Sequence, residues 1–316
     1  MPAMLTHDFF GQDAYGSALK SVNLFTPDER DAFLLGNQGP DPLFYLMLLP
    51  PLHEFEELGS NMHKVAPSPI FVSLRRAVDA LPEVDKPIGQ AYLAGFTCHY
   101  LLDRAMHPLV FWWEKSICRA GVDGLDVTDH SIVHAEIERD LDEMVLFAKR
   151  NQTIQAYRPY EEVLRGSDNM LRVVGDVYFG SLVGPLAEEE PSAARVFPLA
   201  VSCFRVAQRM FYSPGGTKAR LFERIEKPAR RIRYSLVKAM SHRVRAELVS
   251  DFDNRDNRPW RNPFTGARST ASFWDLYNGA LDEVPAALEM VFADGFDEEA
   301  AHALTHGINF GGDCVE

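Results

Sequence analysis

Apolar positions recur at helical spacing along most of this chain, and few stretches alternate in the way a half-buried strand requires. The pattern predicts helices over residues 6–24, with Thr6 or Asp8 as the cap, and over 31–35, opened by Asp28 and Glu29 after Thr26-Pro27. Further helices are expected at 43–49 and 71–80. A central helix starts near Ile88 and is expected to stop at Pro108. Beyond it lie 129–147, 167–183, 193–212 and 218–252, separated by Pro and Gly punctuation. Residues 258–277 read as an irregular aromatic stretch followed by a short helix. The expected fold class is all-α, a single multi-helix bundle spanning residues 1–316, with no internal repeat.

Two of these helices carry polar stripes that a bundle core would not ordinarily bury. Residues 95–108 read GFTCHYLLDRAMHP and place His99, Asp103 and His107 at successive intervals of four, one above another on a single face. Leu93, Phe96, Tyr100, Leu101 and Leu102 flank that face, so the helix should be buried and its polar side chains partnered. Over residues 129–147, His130, His134, Glu138 and Asp142 repeat the same spacing opposite Ile132, Val133, Ile137, Leu141 and Met144. Imidazole and carboxylate are the donors that hold zinc or a similar divalent ion, and a helix fixes their relative positions without ordering a loop.

Other candidates lie nearby in the sequence. Seven of the ten histidines precede residue 135, which puts the expected chemistry in residues 1–145 and leaves 146–316 as scaffold and substrate wall. His7 stands at a helix entrance, and His53 and His63 are both candidate ligands. Asp41 is pinned between Pro40 and Pro42, either as an N-cap for the helix at 43–49 or as a carboxylate aimed at the site.

Composition narrows the partners. The formal charge of −13 argues against general affinity for nucleic acid or an anionic membrane. A basic run lies at Arg220, Arg224, Lys227, Arg230, Arg231, Arg233, Lys238, Arg243 and Arg245; it reads as a solvated face paired with acids, with a phosphate or membrane-surface patch as the alternative. Four cysteines without a CxxC pair exclude a disulfide framework. The first residues show no basic region followed by an apolar run, and no stretch has membrane-spanning length, so a cytoplasmic protein is expected. GxSxG is absent, and so are the ExxH motifs of di-iron bundles.

Taken in order, Thr6-His7, GPDP at 39–42, LGSNMH at 58–63, GFTCHYLLDRAMHP at 95–108 and HAEIERDLD at 134–142 resemble the zinc-dependent phospholipase C family, whose all-helical fold also houses the S1/P1-type nucleases. The resemblance implies zinc, in two ions with a third beside them. His63, His99 and Asp103 would hold the first; His107, His134 and Glu138 the second; His7 a third bridged by Asp103; and Asp41 would be the general base. It implies metal-activated hydrolysis of a phospholipid or another phosphate ester, and a phosphoesterase of the nuclease branch or a non-catalytic metal-binding bundle is the alternative. The chain departs from the pattern in lacking the tryptophan that begins the mature secreted enzymes, and in its shorter link from Asp103 to His107. His130 for His134 and His53 for His63 remain open.

Overall fold

The computed structural model describes residues 4–48, 53–121, 124–183, 196–230 and 234–315. Thirteen α-helices account for most of them: α1 (Met4–Ala18), α2 (Pro27–Gly36), α3 (His53–Lys64), α4 (Pro67–Asp79), α5 (Lys86–Ala120), α6 (His130–Arg150), α7 (Pro159–Glu162), α8 (Asp168–Tyr178), α9 (Val196–Phe211), α10 (Thr217–Arg230), α11 (Leu236–Met240), α12 (Phe273–Val291) and α13 (Glu298–Thr305). A 3-10 helix covers Asp41–Leu48, and among the described residues the sheet content is one two-stranded hairpin, β1 (Trp260–Arg261) with β2 (Arg268–Ser269). The fold is therefore mostly helical, as the periodicity implied. The chain divides into two compact units, each assembled from three segments.

The larger unit comprises Phe10–Ala105, Leu164–Phe204 and Tyr277–Glu316. Here α4 packs on α8 and α13, α2 packs on α8, and α3 lies along the 3-10 helix. Its core is aromatic: Phe71 meets Phe96 and Tyr100 edge-on, and Tyr178 stacks on Phe197 at 3.9 Å between ring centroids. Thr26 opens α2 with a reciprocal capping box, its side chain taking the Glu29 amide while Glu29 reaches back to the amide of Thr26. Where α2 crosses α5 the backbones touch. A Cβ on Gly36 would stand 2.2 Å from the Tyr92 carbonyl oxygen and one on Gly95 would stand 2.0 Å from that of Phe33, so only glycine fits at either position.

The smaller unit comprises Met1–Phe9, Met106–Val163 and Arg205–Leu276, with α11 packed on both α6 and α10. Helix α6 turns Asp140, Asp142 and Glu143 inward, all three buried. Asp142 caps α1: it accepts hydrogen bonds from the Leu5 amide (3.0 Å), the Thr6 amide (2.8 Å) and the Thr6 hydroxyl (2.7 Å). The cap of α1 is thus supplied from α6 and not by the side chain of Thr6 or Asp8, and the stripe member Asp142 is committed to it.

Two expectations are corrected. Pro108 does not stop the central helix; α5 continues through it to Ala120. Proline's φ is already helical, and its cost of about 3 kcal/mol is offset by the burial of Leu101, Leu102, Leu109 and Val110 on either side. The helix expected over 218–252 ends at Arg230, and after the short α11 the chain runs irregularly to the hairpin. Side chains replace helical hydrogen bonds there. The Asn254 amide donates to the carbonyls of Arg258, Thr270 and Ala271, and Arg243 forks onto Asp140 and Glu143. Burying α6's acidic row requires cations, and an extended segment delivers Arg243 and Arg245 to it. No helix among the described residues is long and apolar enough to cross a membrane.

Candidate metal centres

Each unit gathers a group of histidines and carboxylates. In the larger unit one ligand atom each from His63, His99 and Asp103 lie within 4.8 Å of one another. His99 and Asp103 come from successive turns of α5, and His63 from the last turn of α3. The Nε2 atoms of both histidines face the same Asp103 oxygen, Oδ2, at 3.2 Å for His99 and 3.6 Å for His63. Asp41 Oδ1 lies 3.2 Å from the His63 Nε2, beside this group.

The far side of each ring shows how it is held. The Nδ1 of His63 lies 2.7 Å from the Gly59 carbonyl oxygen, and that of His99 lies 3.1 Å from the Asn37 carbonyl oxygen. A carbonyl can only accept, so each Nδ1 carries a proton, and in a neutral ring each Nε2 offers its lone pair to the carboxylates. Lone pairs and carboxylate oxygens facing each other call for a cation between them. The spacings agree, since donors about 2.0–2.1 Å from a tetrahedral zinc stand about 3.3 Å apart. Gly39 seats the His99 ring: it has φ of +50° and lies so close that a Cβ would reach the His99 Cδ2 at 2.2 Å. The Tyr178 hydroxyl anchors this loop by donating to the Gly39 carbonyl at 3.2 Å, and itself receives the Tyr92 hydroxyl at 2.9 Å.

Asp41 occupies the first turn of the 3-10 helix, is buried, and directs its carboxyl at His63. Without a metal, burial would raise its pKa, but a hydrogen bond from His63 and the fields of His99 and His63, in their protonated forms, outweigh that and hold it below the usual carboxylate value.

In the smaller unit the corresponding group is His107, His134 and Glu138. Glu138 Oε1 lies 3.2 Å from His134 Nε2 and 3.6 Å from His107 Nε2. Burial would push the Glu138 carboxyl up, yet its nearby positive charge, His134 included, and hydrogen bonds from His107 and His134 hold it well below normal. The supporting group behind His134 is one that sequence reasoning missed: Glu114 Oε2 sits 2.9 Å from its Nδ1. Burial would lower the His134 pKa, but Glu138 and Glu114 together raise it. Glu114 lies seven residues after His107 on α5, two turns along the same face, and that spacing was the available signal.

No family model matches the chain, and no curated protein or solved structure matches it. The likeness to phospholipase C therefore rests on the ordered motifs.

The remaining candidates fall as follows. His130 is exposed, with its Nδ1 4.0 Å from Glu114, and stands outside the group that takes His134. His7 is buried on α1 in the smaller unit. The side chain of His53 lies outside the described residues.

Proposed function

We propose that this chain is a zinc-dependent phosphodiesterase of phospholipase C type, hydrolysing a phospholipid or another phosphate ester. The observation that carries the reading is the pair of imidazoles, His63 and His99, each tied at Nδ1 to a backbone carbonyl and each turning Nε2 onto Asp103. That arrangement suits metal binding because the second-shell bond fixes both the tautomer and the ring plane. The group His107, His134 and Glu138, backed by Glu114, suits a second ion on the same grounds.

Zinc bound by such donors supplies Lewis acidity, lowering the pKa of a coordinated water and drawing charge from a phosphoryl oxygen. The protein's own part falls to Asp41. As an aspartate it is ionised at neutral pH, and its place in a Pro-Asp-Pro turn holds it still, so it can take the proton from an attacking water with little reorganisation. Burial of His99, Asp103 and Asp41 limits competing solvent around the reacting atoms.

The test combines metal analysis of protein purified without chelator with a screen of phosphodiester and phosphomonoester substrates, on wild type and Asp41→Asn. Turnover should fall on the order of 10²-fold or more while metal content stays near wild type. Full activity in the variant would remove Asp41 from the chemistry, and metal loss would make it a ligand. Metal-loaded wild type that cleaves no phosphate ester would overturn the reading itself.

A further inference from the structure

A basic and apolar helix face in the smaller unit is unexplained by the metal chemistry. From Arg205 to Arg245 the sequence holds twelve Lys and Arg against two Glu, in a chain whose net charge is −13. Helix α10 lies in the middle of this run, and its sides divide sharply. Ala219 is buried, and Phe222, Glu223 and Glu226 are half-buried. Both acids are already taken: Glu223 pairs with Lys227 (2.6 Å) and Lys238 (3.3 Å), and Glu226 accepts from the Ser235 hydroxyl and the Val237 amide.

What remains outside is Leu221 and Ile225, each 58 % exposed, beside Lys218, Arg220 and Arg224, all exposed. Leu221 and Ile225 are one turn apart in one row, and Arg220 and Arg224 form the adjacent row. Among the described residues no carboxylate lies within ion-pair distance of these three cations; Arg220 spends one N–H on the Gly215 carbonyl at 3.3 Å and keeps its charge. The helix is well founded at its start, where the Ser213 hydroxyl receives the amides of Lys218 and Ala219.

We infer that the outward face of α10 docks on an anionic lipid surface, with Leu221 and Ile225 entering the acyl boundary and Lys218, Arg220 and Arg224 meeting the headgroup phosphates. An interfacial helix requires both contributions on one face, aliphatic side chains to insert and cations to hold the plane. A nucleic acid would satisfy the cations but leave the aliphatic row in water. The inference concerns binding and holds whether or not the chain turns over a phosphate ester.

Co-sedimentation with vesicles of phosphatidylcholine containing phosphatidylserine, against phosphatidylcholine alone, tests it. Wild type should pellet with the anionic vesicles and release as salt rises from about 0.1 to 0.5 M. Arg220→Glu with Arg224→Glu should weaken partitioning on the order of 25-fold or more, at about fivefold per cation. Ile225→Asp should weaken it about tenfold or more. All three positions are exposed, and circular dichroism checks that each variant keeps its helix content. Failure of wild type to bind anionic vesicles, or equal binding by the variants, overturns the inference. So does binding of a short RNA in place of vesicles, or a dimer that Ile225→Asp disperses.

Discussion

The two groups that could hold a metal use the same kinds of donor but brace them differently. In the larger unit the imidazoles of His63 and His99 lean on backbone carbonyls, those of Gly59 and Asn37; in the smaller unit His134 leans on a carboxylate, Glu114. A carbonyl brace is neutral and no substitution removes it directly. A glutamate brace adds charge, makes the ring more basic and a stronger donor, and can be deleted with one residue. The first group is therefore robust to side-chain change around it and sensitive to backbone shape, and the second is the reverse.

The largest effect should come from removing a shared donor. Asp103→Asn takes away the oxygen that both His63 and His99 face, and elemental analysis should show the loss of about one equivalent of metal while the His107, His134 and Glu138 group keeps its own. Loss of both equivalents would show that the groups are not independent. Glu114→Gln should act only on the smaller unit, weakening one class of site by about 10–100-fold in titration against a competing chelator. An affinity unchanged to within twofold would reduce Glu114 to a packing residue.

Gly39→Ala tests the backbone side of the comparison. A methyl group at a left-handed φ and 2.2 Å from the His99 ring must move the loop or the ring, so thermal denaturation should show a loss of about 1–3 kcal/mol, with weaker metal uptake in the larger unit alone. Unaltered melting would mean that the loop yields freely. Smallest should be Tyr178→Phe, which removes the hydroxyl that donates to the Gly39 carbonyl and frees that of Tyr92, 3.3 Å away, to take its place; about 1 kcal/mol is expected. Chelating wild type gives the complementary measurement. Without a cation the donors repel or stay unsatisfied, so its melting temperature should fall, and an unchanged transition after verified metal loss would separate the sites from the fold.

Much of this was legible in the sequence because it was local. The stripe of His99 and Asp103 and the pair His134 and Glu138 each sit on one helix, where spacing alone fixes the face. The start of α2, read from Asp28 and Glu29 after Thr26-Pro27, was local too. Contributions from other segments were not legible. Nothing in the sequence around Asn37 announces that its main-chain oxygen will hold a ring 62 positions away. Asp142 looked like a fourth member of a stripe, and only the tertiary fold commits it to the start of α1. The region from Lys218 to Phe252 misled for a related reason: its apolar spacing suits a helix, but the buried acids of α6 draw Arg243 and Arg245 onto themselves, and tertiary charge pairing overrides local preference.

The capping of α1 by Asp142 bears on the order in which the protein is made. The first helix leaves the ribosome with its leading amides exposed, and their acceptor is synthesised 136 residues later; His242, which holds that acceptor in turn, follows after a further 100. The start of α1 must then wait until Asp142 and His242 have been made before its hydrogen bonds are complete. A nascent chain arrested before Asp142 should leave its first residues open to proteases, and one released after His242 should protect them.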